Sequence, residues 1–351
     1  MPGWRDNYLV DGSFAHIGGL IATRLRDVTT DLSALDGAGW WAVVVTYEGK
    51  VTCARFDDVR PAPPAPRLVA GREPWRGPDP GAWRGSLDQA AYEAGVQRIR
   101  AYIERGEVYQ ANLCRVLSAP LPRAGRDPLA LAVRLAAGNP AAYAATIALR
   151  GLTVVSASPE LYLSRDGDLI ESHPIKGTAR TPEGLLDKDR AENVMIVDLV
   201  RNDLGQVAEV GSVEVPDLCR VEAYPGLVHM VSTVRARLAP GQGWPELFAA
   251  TFPPGSVTGA PKSSALRIIN ELEPEPRGPY CGAVGWVDAD RRTAALAVGI
   301  RTFWFEDDQI RFGTGAGITW GSDPRGEWRE TELKASRLIT LASYRETGGV
   351  T

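Results

Sequence analysis

Residues 152–175, LTVVSASPELYLSRDGDLIESHPI, contain three apolar runs of β-forming residues, the last two joined by the turn Arg-Asp-Gly-Asp. Connections this short bring a strand back beside its predecessor, so the segment reads as an antiparallel meander. The same grammar appears at residues 39–56, GWWAVVVTYEGKVTCARF, where two β-branched and aromatic runs flank Glu-Gly-Lys as in a hairpin. Further strand-like runs are YCGAVGWVD, AALAVGIRTFWF and QIRFGTGAGI, and Gln110 in EVYQANL leads into another. Helical periodicity comes singly between these groups. Ser86 is placed to cap a helix with the stripe Tyr92, Val96, Ile99 and Ile103, ending at Gly106. A second helix is expected from Lys188 to about Val200, and a third from near Pro261. The last begins at Ser322 or Asp323, with Pro324 in its first turn. Grouped strands with single helices and no regular βαβ spacing specify an α+β fold with antiparallel sheets.

Seven prolines between Pro61 and Pro80 are too many for a helix or central strand and mark a surface connection. They divide a strand-rich N-terminal segment, residues 1–85, expected to pack on the main fold, from a catalytic domain at residues 86–351. A chain of 351 residues, 44% hydrophobic, buries a substantial core. Its formal net charge of -4 offers no broad basic field to nucleic acid and leaves a small molecule as the expected partner. Cys53, Cys114, Cys219 and Cys281 have neither metal-type spacing nor the density of a disulfide framework, which points to reducing cytoplasm. The start MPGWRDNYLV lacks the features of a signal peptide, and no later run reaches roughly 18 apolar residues, so no membrane span is expected.

Several polar residues stand where apolar ones would be unremarkable. Glu192 shares a helical face with Met195, Ile196 and Leu199, so its carboxylate either points inward or curls back to water. Glu327, Glu330 and Lys334 line one face of the last helix, as a solvated ion pair or as part of a site. That helix follows GTGAGITW, whose glycines allow close backbone approach. Two acidic helices and a glycine-rich turn suit a magnesium ion bridging to an anionic substrate. Arg301 interrupts an apolar run and requires an anion, either an internal carboxylate or a bound one. The stretch GSVTGAPKSSA departs from the phosphate-loop pattern, because Ala-Pro separates Gly259 from Lys262. Lys176, in HPIKGTAR, sits at a strand end before a glycine.

Taken in order, SPELYL, HPIKGTAR, KDRAENVMIVDLVRNDLG, TFPPGSVTGAPK and GAGITWGSDPRGEWRETELK resemble the chorismate-utilising enzymes, within them the branch of aminodeoxychorismate synthase component I. The resemblance implies two packed antiparallel sheets flanked by helices, with chorismate and Mg²⁺ in a cleft. It implies that Glu192 and Glu330 hold the metal, with Glu327 beside them through water. Arg301 and the backbone at Gly315 would take the substrate's side-chain carboxylate, and Thr258 and Lys334 would also line the substrate. Glu160 would be the general acid. Lys176 would be a nucleophile: relatives that make anthranilate carry a small residue there, whereas those that make 4-amino-4-deoxychorismate often carry this lysine. At Gln110 the isochorismate and salicylate branches have a lysine that activates water, which an amide cannot do because it has no basic nitrogen. His229 matches a family histidine near the reacting ring. Ammonia is expected from solution or from a separate glutamine amidotransferase subunit.

Overall fold

The computed structural model describes residues 12–224 and 227–343. Its first nine strands are β1 (Phe14–Ile17), β2 (Leu20–Thr29), β3 (Trp40–Val45), β4 (Val51–Pro61), β5 (Arg84–Gly85), β6 (Gln110–Pro120), β7 (Tyr143–Leu149), β8 (Leu152–Ser158) and β9 (Leu161–Asp166). The others are β10 (Leu169–His173), β11 (Ile175–Ala179), β12 (Glu214–Tyr224), β13 (Leu227–Arg237), β14 (Gly259–Ala260), β15 (Ala283–Asp288), β16 (Thr293–Val298), β17 (Thr302–Glu306) and β18 (Gln309–Ile318). The helices are α1 (Ala65–Leu68), α2 (Gln89–Glu104), α3 (Pro128–Gly138), α4 (Asp187–Gly205), α5 (Trp244–Thr251), α6 (Lys262–Leu272) and α7 (Pro324–Ala342).

All the strand pairs are antiparallel, which makes the fold α+β. One limb runs from β12 through β13, β10, β9, β16, β15, β3 and β4 to β2. The other runs from β1 through β7, β8, β17 and β18 to β6. Two packed sheets were expected; the limbs do pack face to face, but the β1–β2 ladder joins them into one continuous hydrogen-bonded sheet. The shared core takes Val43, Val284 and Leu296 from the first limb and Val116, Ile147 and Val154 from the second. β3 is buried along its whole length because it is paired on both edges and covered on both faces, which is why WWAVVV reads as an uninterrupted apolar run.

Two strand expectations are corrected, and both corrections matter for the site. The meander holds only for the β9–β10 hairpin, since β8 pairs with β7 and β17 in the second limb. The chain changes limbs at Ser158-Pro159-Glu160, where proline cannot donate to a ladder and the Ser158 hydroxyl donates to Val298 O at 2.7 Å. AALAVGIRTFWF is likewise two strands, β16 and β17, broken at Arg301, whose φ of 52° lies in the left-handed region. Helix α2 is capped by Asp88 rather than Ser86, whose hydroxyl instead accepts from Val116 N at 3.0 Å. The proline-rich connection contains one turn of helix, α1, because Pro66 is tolerated in a first turn. It is anchored by Trp75, whose buried indole donates to Ala342 O at 2.7 Å.

Among the described residues no helix is long and apolar enough to cross a membrane. All four cysteines are buried and free. Leu163, fully buried where β9 meets the shared core, is central to it. Leu163→Ala is expected to cost about 3 kcal/mol, read as a lower urea midpoint with the m-value unchanged.

Candidate active site

The two limb crossings lie side by side. Val298 N donates to Glu160 O at 3.0 Å, and Ala157 N donates to Arg301 O at 3.0 Å, so Glu160 and Arg301 project from adjacent corners. Glu160 is 4% exposed, and burial raises its carboxyl above the usual range although the Ser256 hydroxyl, Lys176 and Arg301 pull it back. Burial lowers the Arg301 guanidinium while Glu160 opposes the shift; among the described residues Arg301 forms no ion pair. Its charge is therefore available to an incoming anion.

Lys176 reaches the same place from β11. The ladder of β11 with β13 shifts register between Ile175 and Thr178, and Gly177 has a φ of 81°, a bulge that re-aims the side chain between them. The half-buried ammonium donates to Ser256 O at 3.0 Å. His229, on β13, is 2% exposed, and burial followed by the nearby Arg301 lowers its pKa to about 4. It is a neutral imidazole at neutral pH.

A second group lies where β6 and β18 meet α4. Gln110, 1% exposed, donates from Nε2 to Glu192 Oε1 at 2.5 Å, while its buried Oε1 has no hydrogen-bond partner among the described residues. Glu192 is half-buried, so its carboxylate does turn inward. Gly317 faces this pair closely: a Cβ there would stand 2.2 Å from Gln110 Nε2 and 3.1 Å from Glu192 Oε1. Only glycine leaves that cradle open.

Helix α7 supplies a third group. Asp323 caps it by accepting from Gly326 N at 2.7 Å, and the spacing of its residues puts Glu327, Glu330 and Lys334 on one face. Lys334 Nζ donates to Gly315 O at 3.1 Å and pairs with Glu330 at 2.7 Å, tying the helix to the β18 backbone. Burial and the adjacent Glu330 push Glu327 up against the Ser322 hydroxyl. At Glu330 burial also works upward, but Lys334, Lys188 and Lys176 together hold the carboxyl below its usual range. The charge of Lys176 thus links this group to Glu160.

Among the described residues no three His, Cys, Asp or Glu side chains cluster as ligands for a metal. Magnesium seldom uses such an all-protein cage; it takes one or two carboxylates, waters and substrate oxygens. The hard oxygen donors of Glu192 and Glu330 and the open cradle at Gly317 fit that habit. Thr258 is fully buried, and its hydroxyl donates to Pro254 O at 2.8 Å. Sequence reasoning did not single out Ser256, which turns its hydroxyl to Glu160 and its backbone carbonyl to Lys176; the second contribution leaves no mark on residue type. It also passed over Lys188, although its place four residues before Glu192 is a helical signal.

The arrangement holds one cation without a carboxylate partner among the described residues and an amine beside a buried acid, features that suit a small anion. Comparisons with known proteins identify relatives of the chain. Anthranilate synthase component 1 1 of Haloarcula marismortui is 41% identical over 273 residues, which cover 74% of this chain and 55% of that protein. Aminodeoxychorismate synthase component 1 of Salmonella typhimurium is 34% identical over 333 residues, covering 90% of this chain and 72% of that one. The chain spans about half the length of several curated relatives it matches. The solved structure of anthranilate synthase component I from Streptococcus pneumoniae shares the fold, with a TM-score of 0.76 at 24% identity, over 93% of this chain and 90% of that one. Residues 58–340 match the profile of the family described as chorismate binding enzyme, and the chain belongs to that family.

Proposed function

We propose that the chain aminates chorismate to 4-amino-4-deoxychorismate through a covalent adduct on Lys176. The observation that carries this reading is the placement of the Lys176 ammonium, 3.0 Å from Ser256 O and within the charge field of buried Glu160. A strand-end lysine reaching bulk water would support no such role. The relatives carry both aminodeoxychorismate synthase and anthranilate synthase names, and Lys176 favours the former.

Arg301 and the Gly315 backbone bind the side-chain carboxylate of chorismate. Glu192 and Glu330 would hold Mg²⁺, with Glu327 nearby, and the ion would supply Lewis-acid polarisation of the substrate's ring carboxylate. Glu160 in its protonated form donates to the ring hydroxyl at carbon 4. Lys176 first gives up a proton to solvent. As the carbon-4 hydroxyl departs as water, the amine bonds to carbon 2, both ring double bonds shift by one position (1,2 to 1,6 and 5,6 to 4,5), and the new ammonium loses its second proton to solvent. Ammonia then bonds to carbon 4, the two double bonds return to their original positions, the carbon 2–nitrogen bond breaks, and the proton lost by the new carbon-4 ammonium goes to the departing Lys176 amine. Gln110 cannot convert water into a competing nucleophile, because its amide nitrogen is not basic. His229 packs near the ring as a neutral group. Ammonia comes from a separate glutaminase subunit, as the component 1 names of relatives suggest.

Incubation with chorismate, Mg²⁺ and ammonium is expected to yield anthranilate-free product that gives 4-aminobenzoate once aminodeoxychorismate lyase is added. Anthranilate formed without the lyase would sink the assignment. Lys176→Ala is expected to lose most turnover, and mass spectrometry should find a chorismate-derived adduct on the Lys176 peptide of the wild type alone. Because burial raises Glu160, kcat should fall as pH climbs through its elevated ionisation. Glu160→Gln should lose that limb and about 10²–10⁴-fold in rate; a retained limb would assign it to another group. In calorimetry, Glu192→Gln should weaken Mg²⁺ binding in the presence of chorismate by at least about tenfold.

A further inference from the structure

The segment between α5 and α6, residues 252–261, has little regular structure, yet its backbone is held from several sides. Ser256 O accepts from Lys176 and, at 3.4 Å, from Asn112 Nδ2. The next carbonyl, Val257 O, accepts from Arg277 Nη1 at 2.9 Å, and Thr258 O accepts from Asn112 N at 2.9 Å. Arg277 is 1% exposed and grips both oxygens of Glu273, at 2.7 and 2.8 Å, while Nη2 also donates to Asn112 O at 3.1 Å. One buried guanidinium thus fastens the loop to β6.

Lys262 closes the loop at its other end. Its ammonium donates to Thr251 O at 3.0 Å, joining the residues that bracket the segment, and to Asp203 Oδ2 at 2.6 Å on α4, the helix that carries Glu192. A lysine at the first position of α6 opposes the helix dipole, and this one is largely buried. Asp203 and Thr251 O offset that placement, so the lysine is committed inside the protein and is not held open for a phosphate.

We infer that Lys262 is a positioning residue: by clasping both ends of the loop to α4 it fixes the Ser256 carbonyl, and that carbonyl fixes the aim of Lys176. Arg277 holds the middle of the same loop. The consequence for turnover rests on the proposed role of Lys176; the consequence for its position does not.

The test separates the two. Lys262→Met alone strands a buried carboxylate, so the decisive variant is Asp203→Asn combined with Lys262→Met, which removes both charges together. Labelling of the intact chain by acetic anhydride without chorismate, read by peptide mass spectrometry, reports on Lys176 directly. In the double variant Lys176 should label several-fold faster while exposed Lys50 labels at the wild-type rate. With chorismate and ammonium, kcat should fall about 100-fold and KM should stay within about threefold. Lys262→Arg, which keeps the cation, should return labelling toward the wild type. A double variant with native near-ultraviolet circular dichroism and unchanged Lys176 labelling overturns the positioning role. Faster labelling in the variant, from a wild-type protein that never aminates chorismate, upholds the clasp and overturns the proposed function.

Discussion

Two backbone hydrogen bonds organise this molecule: Val298 N to Glu160 O, and Ala157 N to Arg301 O. Each stitches one strand crossing to the other at the point where the chain passes between limbs of a single folded sheet. A crossing interrupts the ladder, so its residues are free to turn side chains away from strand alternation. Pro159 removes a ladder donor at one corner, and left-handed Arg301 breaks the strand at the other. The acid and the cation that face the site therefore arise from the same discontinuity that lets the sheet fold upon itself.

Electrostatics follow from that geometry. Burial works against charge on both Glu160 and Arg301, raising the first and lowering the second. Their mutual attraction opposes both shifts without forming an ion pair. Such a site is poised for a ligand that brings its own negative charge, because the anion relieves the desolvated guanidinium. Elsewhere buried charges are fully matched, as at Arg277 with Glu273 and Lys262 with Asp203. The contrast between matched scaffold charges and the unmatched Arg301 separates structure from site more clearly than burial alone does.

Much of this was legible in the residues. The hairpin at residues 39–56, the stripe of α2 and the Asp323-Pro324 start of α7 rest on local rules of alternation, periodicity and capping, and those rules hold where neighbours agree with them. The chain-wide motifs pointed to the chorismate-binding family, and the alternating strand groups to an α+β fold. Less legible were the partition of 152–175 between limbs and the break inside AALAVGIRTFWF. Both runs look continuous because each piece is apolar, whichever limb it joins.

The sequence by itself determined which residue types were available: an inward-facing Glu192, an arginine inside an apolar run, a lysine before a glycine. It could not determine distance. Whether Arg301 meets an internal carboxylate, whether Lys176 finds an acceptor and whether Gln110 touches Glu192 depend on contacts between segments 80 or more residues apart. Only tertiary structure decides these, because such contacts are fixed by sheet topology and backbone carbonyls, and a carbonyl such as that of Ser256 is chemically the same whatever side chain it carries.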